Sequence, residues 1–133
     1  MSNKSGFRGY IASRQVRGVA TPQSIQNLAI REYAKKNNLT FLLSATEYAM
    51  ESCYMMLESV LADLPQLEGM IAFSLFMLPQ SSERRLQVYN QFIKNGAALH
   101  TALEGLVLTK QSDIALFEDL FAVENVAAKW EPV

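Results

Sequence analysis

Apolar and polar positions change period along this chain in a regular order. A short run at residues 7–13 contains Phe7, Tyr10 and Ile11, with Gly9 among them, and these types favour a strand. Residues 14–21 are mostly polar, contain Gly18, and read as a loop. Thr21 and Pro22 then open a helix, Thr21 as N-cap and Pro22 at the first helical position. Ile25, Leu28, Ala29 and Tyr33 make an apolar stripe at helical spacing, and Lys35, Lys36, Asn37 and Asn38 close the helix. Residues 40–45 form an apolar run of strand length. Residues 52–63 predict a second helix with Tyr54, Met55, Leu57, Val60 and Leu61 as its inner face, and Pro65 forces its exit. Residues 69–78 are almost continuously apolar, as in a strand covered on both faces, and Pro79 ends them. Ser81 or Ser82 caps a third helix, with Leu86, Tyr89, Phe92 and Ile93 inward and Gly96 as its stop. Residues 98–108 predict a fourth strand interrupted near Gly105, and residues 113–129 a last amphipathic helix.

The predicted order alternates strand and helix four times. Right-handed crossovers then give an α/β three-layer sandwich: a mainly parallel sheet of four to five strands with helices on both faces. Ligands of such sheets bind at the carboxyl ends of the strands. Those ends carry Ser13 and Arg14, Glu47 and Tyr48, Ser74, and Glu104, so four distant segments are expected to meet at one edge.

Composition narrows the classes. The 133 residues suit one domain with a loose start at residues 1–6, and at 50% hydrophobic and 19% charged the chain is not a disordered one. A net charge of -1 argues against a general nucleic-acid surface. One cysteine, Cys53, excludes an internal disulfide and fits a cytoplasmic setting. No signal-peptide core or membrane span is seen. With one histidine and one cysteine, and no Gly-rich phosphate loop, no metal, dinucleotide or other cofactor is expected.

The strand-end residues carry the candidate chemistry. The planar fork of Arg14 suits a carboxylate or sugar phosphate, and Ser13 assists or acts as a nucleophile if a base lies near; otherwise the pair is an ordinary loop. Glu47 is a candidate general acid or base beside Tyr48, or else it pairs with Arg14 or a helix N-terminus. Glu104 has the same two readings, and Ser74 adds a hydroxyl. Gln23 and Asn27, at i and i+4, share a helix face that looks into the site or into solvent, and the Thr21-Pro22-Gln23 helix start offers N–H groups to an anion or is simply capped. Cys53 is a nucleophile near a helix start or a small core residue, and His100 a base or a packed histidine. The strings Tyr54-Met55-Met56-Leu57 and Phe76-Met77-Leu78 read as core or as a subunit interface.

Gly9-Tyr10-Ile11-Ala12-Ser13, a loop, and then Gln23-Ser24-Ile25-Gln26 resemble the start of the resolvase (serine recombinase) catalytic domain. The resemblance runs through Asn37-Asn38-Leu39, Glu47 and the apolar strand that includes Met70 and Phe76, and it implies a resolvase-like fold with Ser13 at the nucleophile's position. The family's arginines are absent. Ile11 stands two residues before the serine, Met50, Glu51, Ser52 and Cys53 stand at the start of the second helix, and Ser74-Leu75-Phe76-Met77-Leu78-Pro79 follows the third strand. Phosphodiester transfer needs cationic clamps on developing charge. An active DNA recombinase is therefore not expected, nor is a DNA-binding domain after the last helix.

A closer resemblance is to the sporadic carbohydrate cluster protein family, short proteins encoded within bacterial polysaccharide biosynthesis clusters. It is carried by Arg8-Gly9-Tyr10-Ile11-Ala12-Ser13-Arg14, Leu42-Leu43-Ser44-Ala45-Thr46-Glu47-Tyr48-Ala49-Met50, Cys53-Tyr54-Met55-Met56-Leu57-Glu58 and Ser74-Leu75-Phe76-Met77-Leu78-Pro79. It implies a pathway, surface carbohydrate synthesis, and no defined chemistry.

Two functions compete. One is a small enzyme or binding protein for an anionic sugar, sugar phosphate or nucleotide sugar, with Glu47, Ser13 and Tyr48 as catalytic groups and Arg14, Gln23, Asn27, Ser74 and Glu104 as binding groups. The other is a non-catalytic dimeric interaction protein with an exposed apolar patch around Phe117, Leu120, Phe121 and Trp130. A homodimer fits either.

Overall fold

The computed structural model describes residues 4–16, 19–48 and 53–129, with side chains given as far as residue 124. Strand β1 is Phe7–Ala12, followed by helix α1, Gln23–Lys36, and β2, Phe41–Glu47. Helix α2, Met55–Asp63, leads to β3, Gly69–Ala72, then α3, Ser82–Lys94. Strands β4, Ala98–Thr101, and β5, Leu106–Leu108, precede α4, Ile114–Lys129. The sheet order is β2-β1-β3-β4-β5, with the first four strands parallel and β5 antiparallel to β4. The expected α/β alternation and mainly parallel sheet are therefore present.

Side-chain alternation along β1 shows that helices cover both faces. Phe7 meets the ring of His100 edge-on, and His100 bonds to Tyr33 of α1. Tyr10, of opposite parity, bonds to Glu47, which holds α2. Between them Ile11, Ile30, Met70, Ile71, Leu99 and Phe92 are sealed from solvent. Gly69 is required where β3 runs beside β4, because a Cβ there would collide with the carbonyl oxygen of Ala98.

Strand β2 forms one edge of the sheet. Its register with β1 shifts between Phe7↔Phe41 and Gly9↔Ser44, so β2 carries one extra residue, a bulge. At that bulge Leu43 is 80% exposed and its carbonyl accepts from Nε of Arg8 at 2.7 Å.

Several expectations are corrected. The inward face of α1 is Gln26, Ile30 and Ala34, whereas Ile25 and Leu28 are about half exposed. The reason is a hydrogen-bonding demand from β1, met by Gln26. Helix α1 starts at Gln23 with Pro22 in the cap position and no side-chain cap, so Thr21 does not cap it. Met55 and Leu86 lie exposed instead of inward, and Arg85 takes the inward place on α3. The residue 52 start expected for the second helix lies outside the described residues.

Strand β3 ends at Ala72, and Leu75–Met77 is a buried 3-10 turn capped by Ser74 Oγ on Phe76 N. Burial keeps Phe73, Leu75, Met77 and Leu78 apolar whether or not they are strand, so hydropathy reads through the change. Residues 98–108 split into a hairpin at Gly105, whose φ of 70° is open to glycine. On α4, Phe117 and Phe121 are buried and Leu120 is partly covered, so they form no exposed patch; Trp130 lies outside the described residues.

Candidate functional site

Glu47 ends β2 fully buried. Its Oε2 accepts from Tyr10 Oη at 2.9 Å and from Leu57 N at 3.0 Å, and its Oε1 accepts from Met56 N at 3.1 Å. Cys53 Sγ lies 3.9 Å from the same Oε1. A carboxylate against the first N–H groups of α2 satisfies orphan donors and complements the positive helix end. Burial, with the Glu47 charge second, pushes the Tyr10 phenol well above its ordinary range, so it stays a neutral donor. Of the readings open for Glu47, the geometry matches the helix N-terminus.

The other strand-end residues divide into three groups. Ser13 is exposed, and its N and Oγ both donate to the Glu47 carbonyl, at 2.9 and 3.2 Å. Tyr48 beside it is largely exposed. Arg14 has the parity of Tyr10 and turns to the α2 side, where Nη1 donates to Cys53 O at 3.1 Å and Nη2 to Met77 O at 3.5 Å. Its guanidinium lies 4.8 Å from the centre of the Tyr54 ring. Ser74, buried, donates to Glu104 Oε2 at 2.9 Å, and Glu104 Oε1 accepts from Leu75 N at 2.9 Å. Glu104 thus fixes the turn after β3. Gln23 is exposed, and Asn27 points at β2, its Oδ1 accepting from Ser44 Oγ at 2.6 Å. The structure joins Ser74 with Glu104 and Ser13 with Glu47, but it does not gather all eight residues around one point.

At the Ser74 end of this edge lies an open crevice of about 330 Å³, lined by Val16, Val19, Thr21, Phe73, Ser74 and Leu103. Val16 and Val19 face each other across a small antiparallel bridge after β1. Phe73 N donates to Tyr10 O, and Leu103 N to Phe73 O, which ties the far wall to the carboxyl ends of the strands. The chain passes from β1 outward to β2 and then back across to β3, so this is the place where the strand order reverses. Open parallel sheets bind ligands there.

Three features were hidden from sequence reasoning. Gln26, buried on α1, accepts from Ala12 N at 2.9 Å and donates to Ala12 O at 2.7 Å and Thr21 O at 2.8 Å. It closes the end of β1, and no sequence signal separates it from the exposed glutamines beside it. Arg84, from the first turn of α3, lies 4.8 Å from the same Tyr54 ring as Arg14. Arg85, buried, forms a bidentate pair with Glu118 of α4 at 2.8 and 2.7 Å, and Tyr89 Oη donates to Glu118 at 2.8 Å. The Arg85 donors hold the Glu118 carboxyl below its usual range.

His100 takes the packed reading: it is buried, its Nδ1 lies 2.7 Å from Tyr33 Oη, and burial holds its pKa below the ordinary value. Among the described residues no three His, Cys, Asp or Glu side chains converge as metal ligands, and no helix is long and apolar enough to cross a membrane.

No family model matches the chain, and no curated protein does. Solved structures do resemble it. The N-terminal catalytic domain of TP901-1 integrase is 15% identical, with a TM-score of 0.63, over 94% of this chain and 99% of that one. A resolvase family site-specific recombinase from Streptococcus pneumoniae is 12% identical, with a TM-score of 0.62, over 92% of this chain and 91% of that one. The chain has the resolvase-like α/β fold of these catalytic domains.

Proposed function

We propose that this protein binds a small, acidic, carbohydrate-type molecule at the carboxyl edge of its sheet, in a bacterial surface-polysaccharide pathway and in the cytoplasm. The observation that carries the reading is the crevice at the β1/β3 reversal, of about 330 Å³ and walled by apolar side chains with the Thr21 and Ser74 hydroxyls among them. Small-molecule sites start near that size and have that mixture. The acidic character of the ligand rests on the suitability of the Arg14 guanidinium, which follows the same strand end on the α2 side, for a carboxylate or phosphate. The pathway rests on the sequence resemblance alone.

The geometry favours binding over acid–base turnover by Glu47. Its carboxylate is spent on α2 and Tyr10, and a general base needs an oxygen open to substrate. DNA recombination is disfavoured too. Ser13 donates to a backbone carbonyl, and the turn after β3 buries Leu75 and Met77 where the resemblance to the recombinase family calls for arginines. The interaction-protein reading loses Phe117 and Phe121, which the core consumes.

The test is a thermal-shift screen of sugar phosphates and acidic sugars, repeated with Leu103→Trp, which fills the crevice from its exposed rim. A ligand at about 100 times its dissociation constant stabilises by roughly 2.7 kcal/mol. A shift lost in the variant supports the reading. A shift unchanged by Leu103→Trp, or none with any ligand, overturns it.

A further inference from the structure

We infer that the crevice at the β1/β3 reversal selects a sugar by a methyl group, carried on its terminal carbon or on an acetamide, over the same sugar with a hydroxyl in that place. The inference rests on the crevice reading above and adds to it the part of the ligand that enters.

Six side chains line the crevice, and four of them, Val16, Val19, Phe73 and Leu103, carry no polar atom. Ser74 adds little polarity. It is buried, its Oγ donates to Glu104 Oε2 at 2.9 Å, and the same oxygen accepts from Phe76 N at 3.2 Å. A hydroxyl has a single proton, so Ser74 has none left to give a ligand. Thr21 differs. Its carbonyl accepts from Gln26 Nε2 at 2.8 Å, while its hydroxyl makes no hydrogen bond among the described residues.

Backbone groups of the same walls are already paired. Val16 and Val19 exchange N–H and carbonyl at 2.9 and 3.1 Å, Phe73 N donates to Tyr10 O at 3.0 Å, and Phe73 O accepts from Leu103 N at 3.1 Å. A ligand therefore meets apolar walls with one open hydroxyl. Val19 and Leu103 stand largely exposed, so covering them removes apolar surface from water.

These conditions sort sugars. A hydroxyl that leaves water for such a wall finds no partner, whereas a methyl gains contact with it. Thr21 answers one hydroxyl of the ring, and the buried Gln26 of α1 holds Thr21 in place. A crevice of about 330 Å³ stands at the small end of ligand sites, which suits one sugar ring and not a chain of them.

Isothermal titration with two matched pairs tests this. D-fucose 1-phosphate and D-galactose 1-phosphate differ only in the terminal hydroxyl; N-acetylglucosamine 1-phosphate and glucose 1-phosphate differ only in the acetamide. The full chain is used as wild type, Val19→Thr, Thr21→Val and Leu103→Trp, each checked for an unchanged melting point. The methyl-bearing member of at least one pair is expected to bind wild type about tenfold more tightly, and that pair names the carrier of the methyl. Val19→Thr, which puts a hydroxyl on the wall, narrows the ratio to about threefold or less. Thr21→Val weakens both members of the pair by about tenfold and leaves their ratio unchanged. Equal affinities within both pairs, or a ratio that Val19→Thr does not narrow, overturn the inference; if that binding is still lost in Leu103→Trp, the crevice reading stands. A preference that survives Leu103→Trp overturns it as well, since the selecting wall then lies elsewhere. Binding that ignores Thr21→Val overturns the part given to Thr21. No binding by any of the four sugars also overturns the inference, and the crevice reading then stands or falls on its own wider screen.

Discussion

The Tyr10 hydroxyl donates to Glu47 at 2.9 Å, and this bond joins the centre of β1 to the end of β2 while the same carboxylate oxygen holds α2 through Leu57 N. One buried acid therefore organises two strands and a helix. Tyr10→Phe is expected to lower stability by about 1.5–3 kcal/mol, the range for a buried hydrogen bond to a charged group. Glu47→Gln costs more, because an amide NH2 then faces the α2 N–H donors. Tyr48→Ala, one residue on but exposed, stays within about 0.5 kcal/mol of wild type. Urea unfolding of the three variants checks this; a Glu47→Gln protein as stable as Tyr48→Ala would remove the structural role.

Gln26 provides a second contrast. Gln26→Leu improves the apolar pattern of α1 yet strands both backbone groups of Ala12, and a loss of about 2 kcal/mol or more is expected. Leu28→Gln, on the exposed side, is close to neutral. The reverse order of effects would contradict the inward orientation of Gln26.

Acid stability should depend on the Arg85–Glu118 pair. Glu118 has a folded pKa below its ordinary value, so its stabilisation is complete above the ordinary carboxylate range and is lost as pH falls through the depressed folded value. Asp113, held down first by the Thr109 backbone N–H, acts in the same window. Glu118→Gln leaves a buried arginine without its carboxylate and costs about 3 kcal/mol near neutral pH. It also flattens the stability slope below about pH 4.5 relative to wild type. Chemical denaturation from pH 7 to pH 3 measures both effects, and an undiminished acid slope in Glu118→Gln and Asp113→Asn together would refute the assignment.

His100 acts at higher pH. Burial favours its neutral form, so the fold is unaffected above the ordinary histidine value and loses stability as pH falls through about 6.5 toward the lower folded value. His100→Gln is expected to be flatter between pH 7.5 and pH 5.5. Equal slopes for wild type and variant would assign the dependence elsewhere.

The β–α alternation was legible because the helices are long enough to show their period and the strands between them are short apolar runs, and the strand ends followed from it. Glu47 was visible as a carboxylate at a strand end. Its partner Tyr10 was not, because only the pairing of β1 with β2 brings the two residues together. Inward Gln26 and Arg85 broke the apolar stripes of α1 and α3 and pushed the expected faces onto Ile25, Leu28 and Leu86. Polar residues that answer a buried backbone or carboxylate leave no trace in hydropathy. Hydropathy is equally blind at Leu75 and Met77, buried in a turn where a strand was expected. The crevice draws its walls from three loops, so no local string of residues announces it.

The bulge in β2 governs how this molecule can meet its own copies. A strand approaching that margin finds a kinked rail with the Arg8 guanidinium laid across the Leu43 carbonyl. The opposite margin, β5, is three residues long. Irregular and short borders of this kind resist continuation of a sheet from one chain into the next. Fibre-like growth by shared backbone is thereby discouraged at both edges of the sheet.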